Sequence, residues 1–185
     1  MRLRLERWAA PICPLLLVTD DDGVLRALDF ADYEARMHRL LREHYRDYTL
    51  QEGAAPESLT AALDAYFDGD LDALADVLTA TCGTAFQREV WNGLRAIPAA
   101  TTVSYGQLAE RLGRAGSSRA VGAANGANPI AIVVPCHRVI GANGTLTGYG
   151  GGLPRKQWLL DHESQFAAVG GEGLRIADFQ LPIAN

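Results

Sequence analysis

The feature that most constrains the fold is an apolar run carrying a thiol, an imidazole and a guanidinium: Val133-Val134-Pro135-Cys136-His137-Arg138-Val139-Ile140. Such a run enters the core, where polar groups need partners or a function. Pro135 fixes one backbone angle and lacks an N–H, so a turn is expected at the thiol. A buried cysteine is commonly just a small core residue. The neighbouring imidazole and guanidinium would instead lower the thiol pKa and favour thiolate, which indicates a nucleophile.

Cysteine usage and hydropathy indicate a soluble protein of a reducing cytoplasm. Three cysteines, Cys13, Cys82 and Cys136, are too few for a disulfide framework, and none of them makes a CxxC or CxH pair. The N-terminus does not resemble a signal peptide, and no stretch has the length of a membrane span. The 185 residues are enough for one large domain or two small ones.

Charge is divided unevenly along the chain. Residues 1–83 carry a net charge of −8, whereas residues 84–163 carry +4. An acidic half followed by a basic half predicts two structural units, with any anionic partner meeting the second. We place the boundary near Gly83.

The first unit is expected to be a scaffold. Residues 15–30 predict a hairpin with a turn at Gly23. Helical periodicity from Tyr33 to Tyr48 predicts an amphipathic helix on that hairpin. Its arginines, Arg36, Arg39, Arg42 and Arg46, are expected to form a solvated face. Residues 49–57 are predicted to be a loop, Ser58 to cap a helix that ends at Gly69, and residues 71–82 stay ambiguous between helix and strand.

The second unit has clearer local signals. Thr84 with Gln87 and Ser104 with Gln107 each form a capping-box pattern, so each predicts a helix start. A turn at residues 113–116 leads to a third helix beginning near Ser117 or Ser118. The last two helices resemble a helix-turn-helix, although generic helical hairpins look alike. The third helix is rich in small residues, which allows close approach to a groove floor.

The end of the chain combines glycines with one more helix. Residues 148–152 form a Gly-rich segment that is either a plain surface loop or a backbone wall of a pocket. Pro154 opens a helix in which Trp158 and Leu159 face the core, and the helix is predicted to end near Glu163. Residues 166–185 are predicted to be a loosely held tail.

Several of these motifs together resemble the O6-alkylguanine-DNA alkyltransferases, especially the bacterial constitutive form. The motifs are Pro135-Cys136-His137-Arg138, Ser118-Arg119-Ala120-Val121-Gly122, Asn128-Pro129 and the stretch from Tyr149 to Glu163. The likeness is close over about residues 84–163. It implies a two-domain α/β protein. Residues 1–83 would form a ribonuclease-H-like α/β domain with a small antiparallel sheet, residues 84–165 a mainly helical, winged helix-turn-helix-like domain, and residues 166–185 the tail.

The resemblance also implies roles for individual residues. Cys136 would accept the alkyl group, His137 would act as a base through a water, and Glu163 would orient His137. Tyr105 would contact the flipped nucleotide's phosphate and protonate the departing guanine, and Asn128 would brace the turn. The implied DNA-binding residues are Tyr105, Ser118, Arg119, Ala120 and Arg138, with Arg119 filling the gap in the duplex. The implied alkyl and base pocket contains Asn125, Val139, Tyr149, Gly150 and Gly151.

The expected partner is double-stranded DNA carrying O6-alkylguanine or O4-alkylthymine, bound from the minor groove. No cofactor, metal or membrane is implied, and self-association on DNA is left open. Because the product would be a thioether, which water does not readily cleave, each molecule should act once. Two other functions stay open: a cysteine hydrolase that uses Cys136, His137 and Glu163, and a DNA-binding regulator in which Cys136 senses alkylation.

Overall fold

A four-stranded sheet forms the first half of the chain in the computed structural model, which describes residues 1–170. Its strands are β1 (Arg2–Trp8), β2 (Leu15–Asp20), β3 (Leu25–Phe30) and β4 (Thr49–Glu52), in the order β3-β2-β1-β4. The predicted hairpin is confirmed as β2 and β3, and Gly23 has the positive φ of 79° that its turn requires. Because β1 and β4 pair in parallel, the sheet is mixed and not purely antiparallel.

The predicted loop at residues 49–57 is wrong in its first part. Residues 49–52 form β4, an edge strand that is mostly exposed and therefore has no apolar alternation to reveal it. The sequence reasoning also overlooked β1, although its buried Leu3 and Leu5 alternate with outward-facing residues as a half-buried strand should.

Two helices pack on this sheet. Helix α1 (Glu34–His44) follows a short 3-10 turn and packs on the hairpin through β3, as predicted. Its Met37 and Leu41 share a buried cluster with Leu16 and Val18 of β2. Helix α2 (Glu57–Phe67) starts after Pro56, so Ser58 is not its cap. Residues 71–82 form turns and one bridge to β3. They are therefore neither a helix nor a regular strand, the two structures between which the sequence left them ambiguous.

Three helices and a two-stranded parallel sheet make up most of the second half. Their order is α3 (Ala85–Arg95), β5 (Val103–Ser104), α4 (Tyr105–Arg111), α5 (Ser118–Gly126) and β6 (Val139–Ile140). Both capping boxes are confirmed: Gln87 N donates to Thr84 Oγ1 at 3.2 Å, and Gln107 N donates to Ser104 Oγ at 3.1 Å. Helix α5 begins at Ser118, and the side chain of Ser117 makes no capping hydrogen bond.

The last helix, α6, spans Leu153–Gly170 and is longer than predicted. The expected tail is therefore wrong for residues 166–170, and its remainder lies outside the described residues. Phe166 explains the extension, because its ring contacts His162 at 4.9 Å between centroids and packs directly on Gly69. Within residues 1–170, no helix is long and apolar enough to cross a membrane.

One hydrophobic core runs through both halves of the chain. It joins Phe30 and Tyr66 of the first half to Trp91, Val139 and Leu159 of the second. At its centre, the chain beyond α5 binds the edge of β3: Leu28 N donates to Pro129 O at 3.0 Å, and Ala131 N donates to Leu28 O at 2.9 Å. The segment that leads to Cys136 is thus anchored to the sheet.

Candidate active site

Cys136 lies in a tightly wound segment, as the sequence predicts. The N–H of Val133 bonds Ala131 O at 2.7 Å across Ile132, whose φ of 68° is rarely adopted by a β-branched residue. The N–H of Cys136 then bonds Val134 O at 2.8 Å across Pro135, with φ −81° and ψ 64°. Two three-residue turns in succession present the thiol at the start of a 3-10 turn, Cys136–Arg138. A positive φ at Ile132 costs about 1–3 kcal/mol, so surrounding contacts must hold this shape.

The thiol of Cys136 is buried, and burial raises its pKa. A hydrogen bond with Asn128 and the positive charges of Arg36 and Lys156 oppose that rise but do not cancel it. The expectation that the adjacent imidazole and guanidinium lower the pKa is therefore wrong. Both of those side chains point to another partner, and the cations that act on Cys136 come from distant parts of the chain.

That other partner is Glu163, which binds His137. The Nε2 atom of His137 lies 2.8 Å from Glu163 Oε1, and both side chains are fully buried. Burial lowers the pKa of His137, so the ring is neutral. An ionised carboxylate only accepts hydrogen bonds, so Nε2 carries the ring proton. Nδ1 is left as a buried acceptor with no protein partner among residues 1–170.

Arg138 also binds Glu163 and is not available to DNA. Its Nη2 lies 2.8 Å from Oε1, its Nε lies 3.1 Å from Oε2, and its Nη1 donates to Ile97 O. The predicted DNA-binding role of Arg138 is thus corrected, because the side chain is buried in an ion pair. Burial would raise the pKa of Glu163, but the hydrogen bond from the neutral His137 ring and the charge and hydrogen bonds of Arg138 outweigh it and hold that pKa below its usual range.

Two asparagines hold the backbone around the thiol. The Nδ2 of Asn128 donates to Val134 O at 2.8 Å, and its Oδ1 accepts from Ile130 N at 3.0 Å. The Nδ2 of Asn125 donates to Cys136 O at 3.4 Å, while its Oδ1 is buried with no partner among residues 1–170. Asn125 lies in the last turn of α5 and Asn128 two residues beyond it, so these hydrogen bonds join the end of that helix to the active-site turn.

Two tyrosines flank the thiol. Tyr105, the first residue of α4, is half-buried and donates its hydroxyl to Thr147 O at 3.2 Å. The Tyr149 hydroxyl is buried, and its ring meets Phe30 edge-on at 6.1 Å. Burial raises the pKa of both phenols, and the nearby Cys136 adds to the rise. Both therefore stay protonated and can act as donors.

The Gly-rich segment is a packed wall and not a free surface loop. A Cβ on Gly150 would meet the guanidinium of Arg36 at 2.6 Å, and one on Gly151 would meet the Phe30 ring at 2.1 Å. Only glycine allows this backbone to approach the first half of the chain so closely. Val139, the remaining predicted pocket residue, is fully buried, and its carbonyl accepts from Lys156 Nζ at 2.6 Å.

The predicted DNA-binding residues at the start of α5 face solvent. Ser118, Arg119 and Ala120 are exposed, whereas Val121 and Ala124 point into the core. A cleft of about 400 Å³ lies between α4 and α5, lined by Tyr105, Gly106, Ser118, Arg119, Gly122 and Ala142. An exposed arginine beside such a cleft is suited to an anionic partner.

Three residues that the sequence reasoning missed also reach this site. Lys156 is fully buried, and its ammonium group donates to the carbonyls of Val139 and Thr147. It is the single lysine of the chain, and this feature of the sequence could have identified it. Tyr66 donates its hydroxyl to Glu163 at 2.9 Å. Arg36 was expected on a solvated face, but its side chain is mostly buried, so that expectation is wrong for this residue. No local sequence pattern marks either of the last two. Across residues 1–170, no group of three potential metal ligands occurs.

Comparison with known proteins identifies consistent relatives. A model of the 6-O-methylguanine DNA methyltransferase DNA-binding domain matches residues 85–165. Methylated-DNA--protein-cysteine methyltransferase of Salmonella typhimurium is 55% identical over 165 residues, which cover 88% of this chain and 96% of the relative. The protein of that name from Mycobacterium leprae is 47% identical over 154 residues, covering 83% and 88%.

Solved structures agree with the sequence relatives. The Mycobacterium tuberculosis OGT in complex with DNA superposes with a TM-score of 0.73 at 43% identity, covering 90% of this chain and 95% of that one. The O6-methylguanine-DNA methyltransferase of Pyrococcus kodakaraensis gives a TM-score of 0.70 at 26% identity, with 87% and 98% covered. The mixed α/β arrangement described above is therefore shared with these proteins.

Proposed function

Because this chain belongs to the methylated-DNA--protein-cysteine methyltransferase family, we propose that Cys136 is the residue that takes the alkyl group from DNA. The chain is accordingly a DNA repair protein of the alkyl-transfer type. The observation that carries the assignment is the buried thiol followed directly by an imidazole whose Nε2 is bound to Glu163 at 2.8 Å. Cys13 is half-buried and Cys82 is exposed, and neither is followed by such a pair.

The reaction is an attack of sulfur on an sp3 carbon. The thiol proton passes to His137 Nδ1 through a bridging water, and Glu163 stabilises the imidazolium that forms. The C–S bond forms while the bond from carbon to O6 breaks, so the electron pair leaves with the guanine. Tyr105 gives its hydroxyl proton to the departing base and regains one from solvent, to which the imidazolium of His137 releases the proton that it took from the thiol. The thioether is stable, so no step regenerates the thiol and each chain acts once.

The raised pKa of Cys136 suits this scheme. A thiol that is protonated at rest is protected from oxidation and chance alkylation, because thiolate is the reactive form. His137 removes the proton in the transfer step. The low pKa of His137 keeps Nδ1 free to accept it.

DNA would be engaged by α4 and α5 acting as a helix-turn-helix in the minor groove, within a winged helix-turn-helix-like domain of residues 84–165. Arg119 would insert where the damaged nucleotide is extruded, with Ser118 and Ala120 against the backbone. The extruded base would enter a pocket between Asn125, Val139, Tyr149 and the glycines at 150 and 151. The exposure of Arg119 and the cleft beside it support this arrangement.

Finer features of the proposal are the substrate range and the division of the chain. O6-alkylguanine is the expected main substrate and O4-alkylthymine a second one. Residues 1–83 would form a ribonuclease-H-like domain, and no cofactor is needed for the transfer. Any self-association would take place on DNA.

An oligonucleotide carrying an isotopically labelled methyl group on guanine O6 tests the function. Alkyl transfer predicts label on protein, saturating at one equivalent per chain. A cysteine hydrolase would instead release label to solvent over many turnovers, and a regulator that only senses alkylated DNA would leave the label on the oligonucleotide. Either of these results would overturn the proposal.

A further inference from the structure

Arg36 is a charged residue of the first half whose side chain is directed into the second. It lies on α1, and only 14% of its side chain is exposed. Its Nη1 binds Asp29 Oδ2 at 2.7 Å, and Asp29 is itself buried at the end of β3. A buried arginine must have most of its donors satisfied, so the remaining N–H groups need acceptors.

Those acceptors are backbone carbonyls at the start of the active-site segment. Nη2 of Arg36 donates to Gly126 O at 3.1 Å and to Asn128 O at 3.0 Å. Gly126 is the last residue of α5, so the guanidinium binds the carbonyl end of this helix, where a cation is favoured. The guanidinium also lies directly against Gly150 of the glycine wall. One side chain therefore ties together α5, the active-site segment and the wall of the proposed pocket.

A short series of hydrogen bonds connects Arg36 to the nucleophile. Arg36 fixes the backbone of Asn128, the Asn128 side chain donates to Val134 O at 2.8 Å, and Cys136 N donates to the same carbonyl at 2.8 Å. The segment between Asn128 and Val134 includes Ile132 with its positive φ, which is a shape that must be held from outside. Arg36 is placed to hold it.

We propose that Arg36 is a positioning residue for alkyl transfer, which fixes the backbone turn that presents Cys136. This inference rests on the proposed function of Cys136. Residues 1–83, expected to be a scaffold, would then also influence the reactivity of the thiol.

The charges around Cys136 define what removal of Arg36 should do. The cations that lower its pKa are Arg36 from α1 and Lys156 from α6, while burial raises it. The phenols of Tyr105 and Tyr149 face it as neutral groups. The imidazole of His137 is neutral and paired with Glu163, which also holds Arg138, and Asp29 balances part of the Arg36 charge. Losing Arg36 therefore leaves Lys156 as the cation that opposes the effect of burial, and the thiol pKa should rise further.

The test uses the full chain with Cys13→Ser and Cys82→Ser, so that Cys136 is the only thiol. In this background, Arg36→Ala, Arg36→Lys and Arg39→Ala are compared. Arg39 is the matched control, because it lies on the same helix in an exposed pair with Glu43. Two quantities are measured: the pH dependence of Cys136 alkylation by iodoacetamide, and the single-turnover rate of methyl transfer from a methylated oligonucleotide.

The expected results separate charge from positioning. For Arg36→Ala, the midpoint of the alkylation profile moves up by about half to one pH unit, and methyl transfer slows about tenfold or more. Arg36→Lys keeps the positive charge, so its pH profile of Cys136 alkylation should stay near that of the parent. Its single nitrogen cannot reproduce the fork of the guanidinium, so methyl transfer is still slowed several-fold. Arg39→Ala matches the parent in both measurements.

An alkylation midpoint and transfer rate unchanged in Arg36→Ala would overturn the proposal. If circular dichroism shows that Arg36→Ala does not fold, Arg36→Lys decides, since an unchanged transfer rate there rules out a positioning role. The iodoacetamide profile needs no DNA. If the parent protein transfers no label from DNA, the proposed function fails, while the effect of Arg36 on the thiol is still measured separately.

Discussion

The two halves of the molecule contribute to the same site in different ways. The second half supplies Cys136, His137 and Glu163, which are close in sequence or carried by recognisable motifs. The first half supplies Arg36, which donates to the carbonyl of Asn128 at a distance of 92 positions along the chain. It also supplies Tyr66, which donates to Glu163 at a distance of 97 positions. The second half therefore carries the residues that are proposed to react, and the first half supplies hydrogen bonds to their surroundings. A chain half without catalytic motifs thus contacts the backbone and the carboxylate on which the proposed site depends.

The largest expected effect is that of Cys136→Ser. We expect it to abolish methyl transfer and to leave DNA affinity close to that of the parent, because the thiol is buried away from the exposed face of α5. Transfer of label and binding to an unmodified duplex are measured on the same preparation. Cys82→Ser, at an exposed thiol of the first half, is the matched control and should retain full transfer. Residual label on the Cys136→Ser protein would contradict the assignment of the acceptor to the second half, since another residue would then carry the methyl group.

The second largest effect is expected for Glu163→Gln. This change removes the carboxylate that Tyr66 of the first half and His137 and Arg138 of the second half all bind. Leaving Arg138 buried without its partner should lower the free energy of unfolding by roughly 3–5 kcal/mol, as judged by denaturant titration. Methyl transfer should also slow, because His137 loses the group that stabilises its charged form. A variant as stable as the parent would contradict the buried ion pair described here.

The same carboxylate predicts a pH dependence of stability. Its folded pKa is depressed below the ordinary 4.5, so its contribution is fully present above that pH and is lost as the pH falls towards the folded pKa. The parent should therefore lose stability steadily below about pH 4.5. In Glu163→Gln this part of the loss should be absent.

A smaller effect is expected for Tyr66→Phe, which removes one hydroxyl of the first half. Glu163 would lose one of its buried donors, so the free energy of unfolding should fall by about 1–3 kcal/mol. Tyr48→Phe, at a less buried tyrosine of the same half, should change it little and serves as the control. Equal stability of the two variants would mean that the first half does not support Glu163.

The smallest effect on the free protein is that of Arg119→Ala, since the residue is exposed. Stability should be unchanged, while methyl transfer from duplex DNA weakens by about tenfold, or ~1.4 kcal/mol. Arg114→Ala is the control, because Arg114 is an exposed arginine paired with Glu89 near the same helix. If both variants repair equally well, Arg119 has no special part in extruding the nucleotide.

Local signals explain what the sequence could predict. The capping boxes at Thr84 and Ser104, the glycine turns and the apolar run at Cys136 depend on neighbouring residues, and the structure has the elements they indicate. Strand β4 has no apolar alternation because it is an exposed edge, and helix α6 continues because Phe166 packs on Gly69, far away in sequence. The environment of Cys136 was mispredicted for the same reason. Its sequence neighbours bind Glu163, and its cations, Arg36 and Lys156, arrive from other elements.

Under the proposed function, Cys136 itself receives the alkyl group and keeps it. The most direct measurement is peptide mass spectrometry of the protein after reaction with excess methylated oligonucleotide. We expect a single added methyl group per chain, located on Cys136. A methyl group on Cys13 or Cys82, or unmodified protein recovered after several lesions have been removed per chain, would contradict it.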